Sequence, residues 1–150
     1  MRAVIQRVKH ANITINGKEK RNIQQGLVVL VGIEEADQQE DLEWLAGKII
    51  QLRIFDDETG RMNLSVQDIQ GSLLIVSQFT LHASTKKGNR PSWIRAADPS
   101  KAEPFYDQFV SIIRERTGGT VETGEFGAHM DIEQVNNGPV TIYIDTKQKE

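Results

Sequence analysis

Cysteine is absent from the chain, which excludes disulfides, thiolate nucleophiles and cysteine-based metal sites at once and fits a reducing compartment. Histidine is scarce: His10, His82 and His129 lack ligand spacing of the His-Glu-x-x-His kind, so no metal is expected. His82, two positions beyond Thr80, reads as a surface loop histidine. No apolar run approaches the roughly 18 residues of a membrane span, and Ala3-Val4-Ile5 is broken at once by Gln6 and Arg7. A cytoplasmic protein without a membrane partner is the expectation. Gly-x-Ser-x-Gly, P-loop and Rossmann fingerprints are missing too, so neither a conventional triad nor a cofactor is expected.

What is present fits one domain over residues 1–150 with a net charge of −3. The molecule as a whole does not attract polyanions, so nucleic-acid contact requires a local patch. Glu34, Glu35, Asp37, Glu40, Asp41 and Glu43 form an acidic run, and Lys86, Lys87, Arg90 and Arg95 a basic one. Gly88 and Pro91 put the basic run on a loop, where it is either a solvated face or a phosphate contact.

Apolar patterning supplies the elements. Ala3–Val8 and Ala11–Ile15 read as two strands, the second closed by the hairpin dipeptide Asn16-Gly17. Gly26–Gly32 and Gly71–Gln78 are continuous apolar runs suited to strands covered on both faces, the first of them central. Asp37 and Glu40 form a capping box ahead of Leu42, Leu45, Ile49 and Leu52 at helical spacing. Asp56–Gly60 is a turn without the ligand pattern of a calcium loop. Asp98-Pro99 opens a second helix bearing Phe105, Phe109, Ile112 and Ile113, with its regular part starting at Pro104 and its end at Gly118-Gly119. Thr120–Thr123, Ala128–Val135 and Val140–Asp145 complete the strands, the last two joined across Asn136–Pro139. The sum is an α+β domain with a mainly antiparallel, barrel-like sheet system in β-β-α layers and two principal helices.

Two stretches stand out chemically. Gly138-Pro139, just before Val140, Ile142 and Ile144, combines a residue tolerant of unusual backbone angles with one whose φ is fixed; locally it reads as a turn. Ser77-Gln78-Phe79-Thr80-Leu81 brings hydroxyls, an amide and main-chain N–H groups to the end of a buried strand. Such groups can stabilise an oxyanion, at about 3 kcal/mol per well-placed donor, without being nucleophiles. Taken alone, such a stretch is more often an ordinary strand end than an active site.

Together, Ser77–Leu81 and Asn137-Gly138-Pro139-Val140-Thr141 resemble the paired signatures of the D-aminoacyl-tRNA deacylases, also called D-tyrosyl-tRNA deacylases. The opening Met1–Val8, the segment Gly124–Met130 and the total length resemble the same family, so the likeness covers nearly the whole chain. It implies a homodimer that hydrolyses the ester of D-aminoacyl-tRNA and also removes glycine from glycyl-tRNA. It further implies that Gly138-Pro139 is cis and enters the neighbouring subunit's site, where its carbonyl oxygens meet the substrate's amino end. By the same likeness Arg7 holds that loop, while Ser77, Gln78, Phe79, Thr80, Phe126 and Met130 belong to the pocket. Lys86, Lys87 and Arg90 are candidate contacts for tRNA phosphates. Two mechanisms stay open: Thr80 as acyl-forming nucleophile, or water attack assisted by the terminal ribose 2′-hydroxyl with main-chain oxyanion donors. The rival readings are an esterase of free D-aminoacyl compounds and a non-catalytic RNA-binding module using the basic loop and Trp93.

Overall fold

The computed structural model describes all 150 residues. In chain order the elements are β1 (Arg2–Ile15), β2 (Glu19–Ile23), β3 (Gly26–Gly32), α1 (Gln39–Gln51), β4 (Phe55–Asp56), β5 (Met62–Leu64), β6 (Ser72–Ser77), α2 (Pro99–Thr117), β7 (Val121–Thr123) and β8 (Met130–Asp145). A one-turn 3-10 helix, Phe79–His82, follows β6. The main sheet runs β2-β1-β3-β6-β7, with β8 on the other side of β1, and β4-β5 is a separate ribbon. Pairing is antiparallel around β1 and within the ribbon, and parallel for β3-β6 and β6-β7. The α+β class, the mainly antiparallel sheet and the two helices therefore match the sequence reading, and β3 is indeed central.

Two apolar cores lie on opposite faces of the sheet. Ala3, Ile5, Leu27, Val29, Leu73 and Ile75 join α1 and α2 in the larger one. Val8, Ala11, Ile13, Ile15, Ile23, Val28, Leu74 and Val76 form the smaller one inside the curled sheet. Both faces of β3 and β6 are thus covered, which is why these strands are continuous apolar runs.

The outer strands serve both cores by changing face partway along. Residues alternate sides along a strand, so one inserted residue inverts the facing of everything after it. In β1 the pairing shifts between Val8 and His10. Ala3 and Ile5 consequently face the helices, while Ala11, Ile13 and Ile15 face the inner core. This is one strand, not the two expected; the out-of-phase apolar pattern around Lys9 marks the bulge. In β8, Asn136 pairs with Val8 and Thr141 with Gln6, so Asn137, Gly138, Pro139 and Val140 together oppose Arg7. Met130 and Ile132 pack on the inner core and Val140, Ile142 and Ile144 on the helix core. Gly138-Pro139 is therefore not a turn between strands but a bulge inside a continuous strand, and its peptide bond is cis.

Local signals are otherwise followed with three corrections. α1 is capped one residue later than expected: the Asp41 carboxylate accepts the Gln38 N–H at 2.9 Å, while Asp37 accepts the Glu34 N–H at 2.8 Å and pairs with the Met1 ammonium. α2 runs through Pro104 rather than starting there, with Asp98 as N-cap, Pro99 at its first position and Gly118 left-handed at its end. Near the N-terminus an internal proline costs only one main-chain hydrogen bond. β2 carries Glu-Lys-Arg-Asn-Ile, too polar to register as a strand, yet it pairs with β1 through the Asn16-Gly17 turn.

Candidate active site

The parallel pairing of β3 with β6 continues one step past the strand end, because the Gln78 N–H donates to the Val31 carbonyl at 2.8 Å. The chain then tightens into the Phe79–His82 turn. Gly32 allows this closure: a Cβ there would lie 2.9 Å from the Gln78 carbonyl oxygen and 3.0 Å from His82 Cδ2. Arg2 Nη1 donates to the Leu81 carbonyl at 2.9 Å and anchors the turn from β1. No loop or cap hydrogen bond engages the N–H of Phe79 or Thr80. At the open end of a helical turn such donors are free for an incoming acceptor.

Beside this turn lies a pocket of about 650 Å³. Val31, Ile33, Val76 and Ala97 form its buried floor, and Ser77, Gln78 and Phe79 one side. Phe126, Gly127, Ala128, His129, Met130 and Ile132 form the opposite wall, and the start of α2 contributes Asp98, Pro99 and Ala102. Arg21 of β2 braces that wall, donating to the Thr123 carbonyl at 2.7 Å while Glu19 holds its guanidinium at 2.7 Å. Trp93 meets Phe79 edge-on at 5.6 Å between ring centroids, so two partly exposed aromatics share the rim. The Asp98 carboxyl is held below the usual carboxylate range by the Ser100 hydroxyl and N–H, and stays anionic beside the pocket.

The residues singled out in the sequence separate into four places. Ser77, Gln78, Phe79, Phe126 and Met130 converge on the pocket. Thr80 is exposed and does not line it; its hydroxyl accepts from Gln78 Nε2 at 2.5 Å. Gly138 and Pro139 also lie outside the pocket of their own chain. They are fixed from behind by buried Arg7, whose Nε donates to the Asn137 carbonyl at 3.0 Å and whose Nη1 donates to the Ile54 carbonyl at 2.6 Å. With φ at +131°, Gly138 has a conformation that an L side chain rarely adopts, and a Cβ would meet Val140 at 2.9 Å and Arg7 Nη2 at 3.2 Å. Lys86, Lys87 and Arg90 occupy the exposed tip of a loop pinched shut by Ser84 and Ser92.

His82 corrects the sequence reading, since it is 1% exposed rather than a surface residue. Burial is the main influence lowering its pKa, so it is neutral at pH 7, and neither ring nitrogen has a hydrogen-bond partner. It packs behind the turn and offers Thr80 no base. The Asp98–Ala102 wall and the Arg21 brace are not marked as site residues in the sequence, and Trp93, read there only as a possible RNA contact, lines the pocket. The Trp93-containing loop between a polar strand end and a helix cap was the signal for Trp93 and the wall, whereas Arg21 left none. No group of three or more His, Cys, Asp or Glu side chains is arranged to hold a metal ion.

Known proteins resemble this chain over nearly its whole length. A family model described as D-Tyr-tRNA(Tyr) deacylase covers residues 4–145. A D-aminoacyl-tRNA deacylase of Bacteroides fragilis (strain YCH46) is 59% identical over 150 residues, covering 100% of both chains. A solved structure titled c-Myc DNA Unwinding Element Binding Protein is 42% identical with a TM-score of 0.90, over 97% of this chain and 98% of that one. A structure titled as a probable eukaryotic D-amino acid tRNA deacylase shares the fold, with a TM-score of 0.84 at 17% identity over 95% of this chain and 97% of that one. By motif, length and fold, the chain belongs to the D-Tyr-tRNA(Tyr) deacylase family.

Proposed function

We propose that this family member, a D-aminoacyl-tRNA deacylase, hydrolyses its substrate with main-chain donors and water rather than with a side-chain nucleophile. The observation that carries the reading is the N–H pair of Phe79 and Thr80 at the start of the one-turn helix, which no loop or cap hydrogen bond engages, with Gln78 and Phe79 lining the pocket. Water attacks the ester carbonyl, and the negative charge developing on the carbonyl oxygen is met by these fixed donors. The ester C–O bond then breaks, and the ribose 3′-oxygen receives the proton that water gives up, passed on by the adjacent 2′-hydroxyl. Thr80 as nucleophile is less favoured, because its hydroxyl is held by Gln78 and no base faces it.

The Gly138-Pro139 bulge supplies chirality from a second copy of the chain. Along β8 it lies roughly 25 Å from Met130 at about 3.3 Å per residue, too far to act on its own chain's pocket. β8 pairs only with β1, which leaves its outer edge open for a second subunit. D and L aminoacyl groups carry the same substituents, so discrimination requires a surface that does not yield. Pro139 has a ring-fixed φ and Gly138 is hemmed in by Val140 and Arg7, so the bulge collides with an L side chain while leaving room for hydrogen. Glycine, with hydrogen on both sides, passes as well.

Lys86, Lys87 and Arg90 engage tRNA phosphates from the exposed loop. None of the three has an ion-pair partner within the chain. The nucleic-acid title of the 42%-identical structure fits a fold that presents such a surface. The deciding assay is parallel deacylation of D-tyrosyl-, L-tyrosyl- and glycyl-tRNA. Turnover of the first and last with sparing of the second is expected, whereas equal hydrolysis of the two tyrosyl esters would overturn the gate.

A further inference from the structure

The turn between β1 and β2 is docked against the pocket wall. The Asn16 N–H donates to the His129 carbonyl at 2.9 Å, and the His129 N–H donates to Asn16 Oδ1 at 3.3 Å. Asn16 and Gly17 both take positive φ, at 51° and 68°, and the Lys18 N–H closes the turn on the Ile15 carbonyl at 3.0 Å. Lys18 is exposed and follows the docking residue Asn16 by two positions, and Asn16's partner His129 lines the pocket.

The charges of the pocket lining leave a gap that Lys18 fits. Among the lining residues only Asp98 and His129 have ionisable side chains, and the His129 ring already faces Asp131 at 3.3 Å. The lining therefore offers no unshared positive group, although a substrate ending in a nucleotide brings a phosphodiester to the rim. Glu19, the acid nearest Lys18 in sequence, is engaged by Arg21, and Lys18 itself has no ion-pair partner. Strand register sets Lys20 apart. Ile15 pairs with Met130 and Ile13 with Ile132 on the pocket side, whereas Lys20 pairs with Thr14, itself opposite Asp131, on the reverse side.

Building on the deacylase reading, we propose that the Asn16–Lys18 turn is a phosphate-contacting arm of the site. Lys18 pairs with a phosphodiester of the 3′-terminal strand of aminoacyl-tRNA as that strand leaves the pocket. The contact is separate from the Ser84–Ser92 loop, so the strand is held from two independent elements. Its contribution is electrostatic and acts on capture of the polymer, because it touches neither the ester nor the amino acid.

The test compares D-tyrosyl-tRNA with D-tyrosyl-adenosine, which keeps the ester and lacks the phosphodiester, using wild type, Lys18→Ala, Lys18→Glu and Lys20→Ala. Each phosphate contact to a single strand contributes about 0.7 to the slope of log affinity against log salt. Lys18→Ala should flatten the slope of kcat/KM on tRNA by about that amount, and Lys18→Glu should lower the tRNA-to-adenosine rate ratio further, by about tenfold at low salt. Lys20→Ala should leave both readouts where they are. Equal changes for Lys18 and Lys20 would reduce the effect to net charge and overturn the proposal, as would no change for either Lys18 variant. Failure of the wild type to hydrolyse both esters would instead overturn the deacylase reading, and this inference with it.

Discussion

Two sets of polar groups in this molecule differ in whether their partners lie within the chain. Buried Arg7 spends its donors on the Asn137 and Ile54 carbonyls and on Asp56. At the sheet end, the Met1 ammonium pairs with Asp37 and donates to the Thr146 hydroxyl at 2.7 Å, while Lys147 reaches Asp41 at 2.6 Å. By contrast, Phe79 at the pocket and its neighbour Thr80 present N–H groups that no loop or cap acceptor satisfies. A buried polar group with its partners fixes one conformation; a donor left free beside a pocket costs little while water reaches it and is available to substrate. The first kind should therefore be read out in stability and the second in rate.

The largest effect should come from Arg7→Ala. Removing a buried guanidinium strands the carbonyls of Asn137 and Ile54 and frees the bulge, at about 3 kcal/mol of stability. Deacylation should fall by more than about tenfold even where the protein remains folded, because the bulge loses its anchor while the pocket is untouched. Urea unfolding together with single-turnover assays measures both. An Arg7→Ala protein with wild-type D-over-L selectivity would mean that the bulge does not need this clamp.

The sheet-end cluster should give a smaller, pH-dependent effect. Burial alone would raise the Asp41 pKa, but the Lys147 ammonium, the Gln38 N–H and the Thr146 hydroxyl outweigh it and bring it down to about 2. A carboxyl whose pKa is depressed on folding contributes stability that is complete above its unfolded value and is lost as pH falls towards the folded one. Between about pH 4 and about pH 2 the wild type should lose on the order of 2 kcal/mol from this group. Lys147→Met should be less stable than wild type by about 1 kcal/mol at pH 7, with the gap closing in that acid window. A constant gap down to pH 2 would assign the loss to packing of the Lys147 stem instead.

The same division explains how much could be read from the sequence. Elements that bury apolar residues on regular spacing were legible: β3 and β6 as continuous runs, and α1 and α2 from their periodicity and caps. The motif pair was legible through family resemblance, and five of its pocket candidates do meet at one cavity. Positions whose role depends on long-range register were not. β2 exposes most of its residues and gains its identity from β1; the face switches at Lys9 and at Asn137–Val140 look like strand ends because local alternation breaks there. His82 is polar in sequence yet packs against Gly32, a neighbour fifty positions earlier that no local pattern indicates. That Thr80 does not line the pocket, and that its hydroxyl accepts from Gln78, are matters of side-chain placement that no motif specifies.

That last point sets up the smallest and most diagnostic prediction. Thr80→Ala removes the hydroxyl but retains the main-chain N–H, and it deletes an exposed side chain, so stability should change by less than about 0.5 kcal/mol. If catalysis depends on the donor and on water, single-turnover deacylation of D-tyrosyl-tRNA should remain within about tenfold of wild type, corresponding to about 1.4 kcal/mol or less. The residual loss would reflect Gln78, whose amide gives up its partner at 2.5 Å and gains freedom to move at the pocket side. If Thr80 is instead the nucleophile, losing it should cost several orders of magnitude, and an acyl group should be trappable on its oxygen in wild type. Rapid quench followed by mass analysis of the protein separates the two outcomes. An acylated Thr80 would move it from the donor set to the reacting groups and require a base, which His82, buried and without a hydrogen bond to Thr80, does not supply.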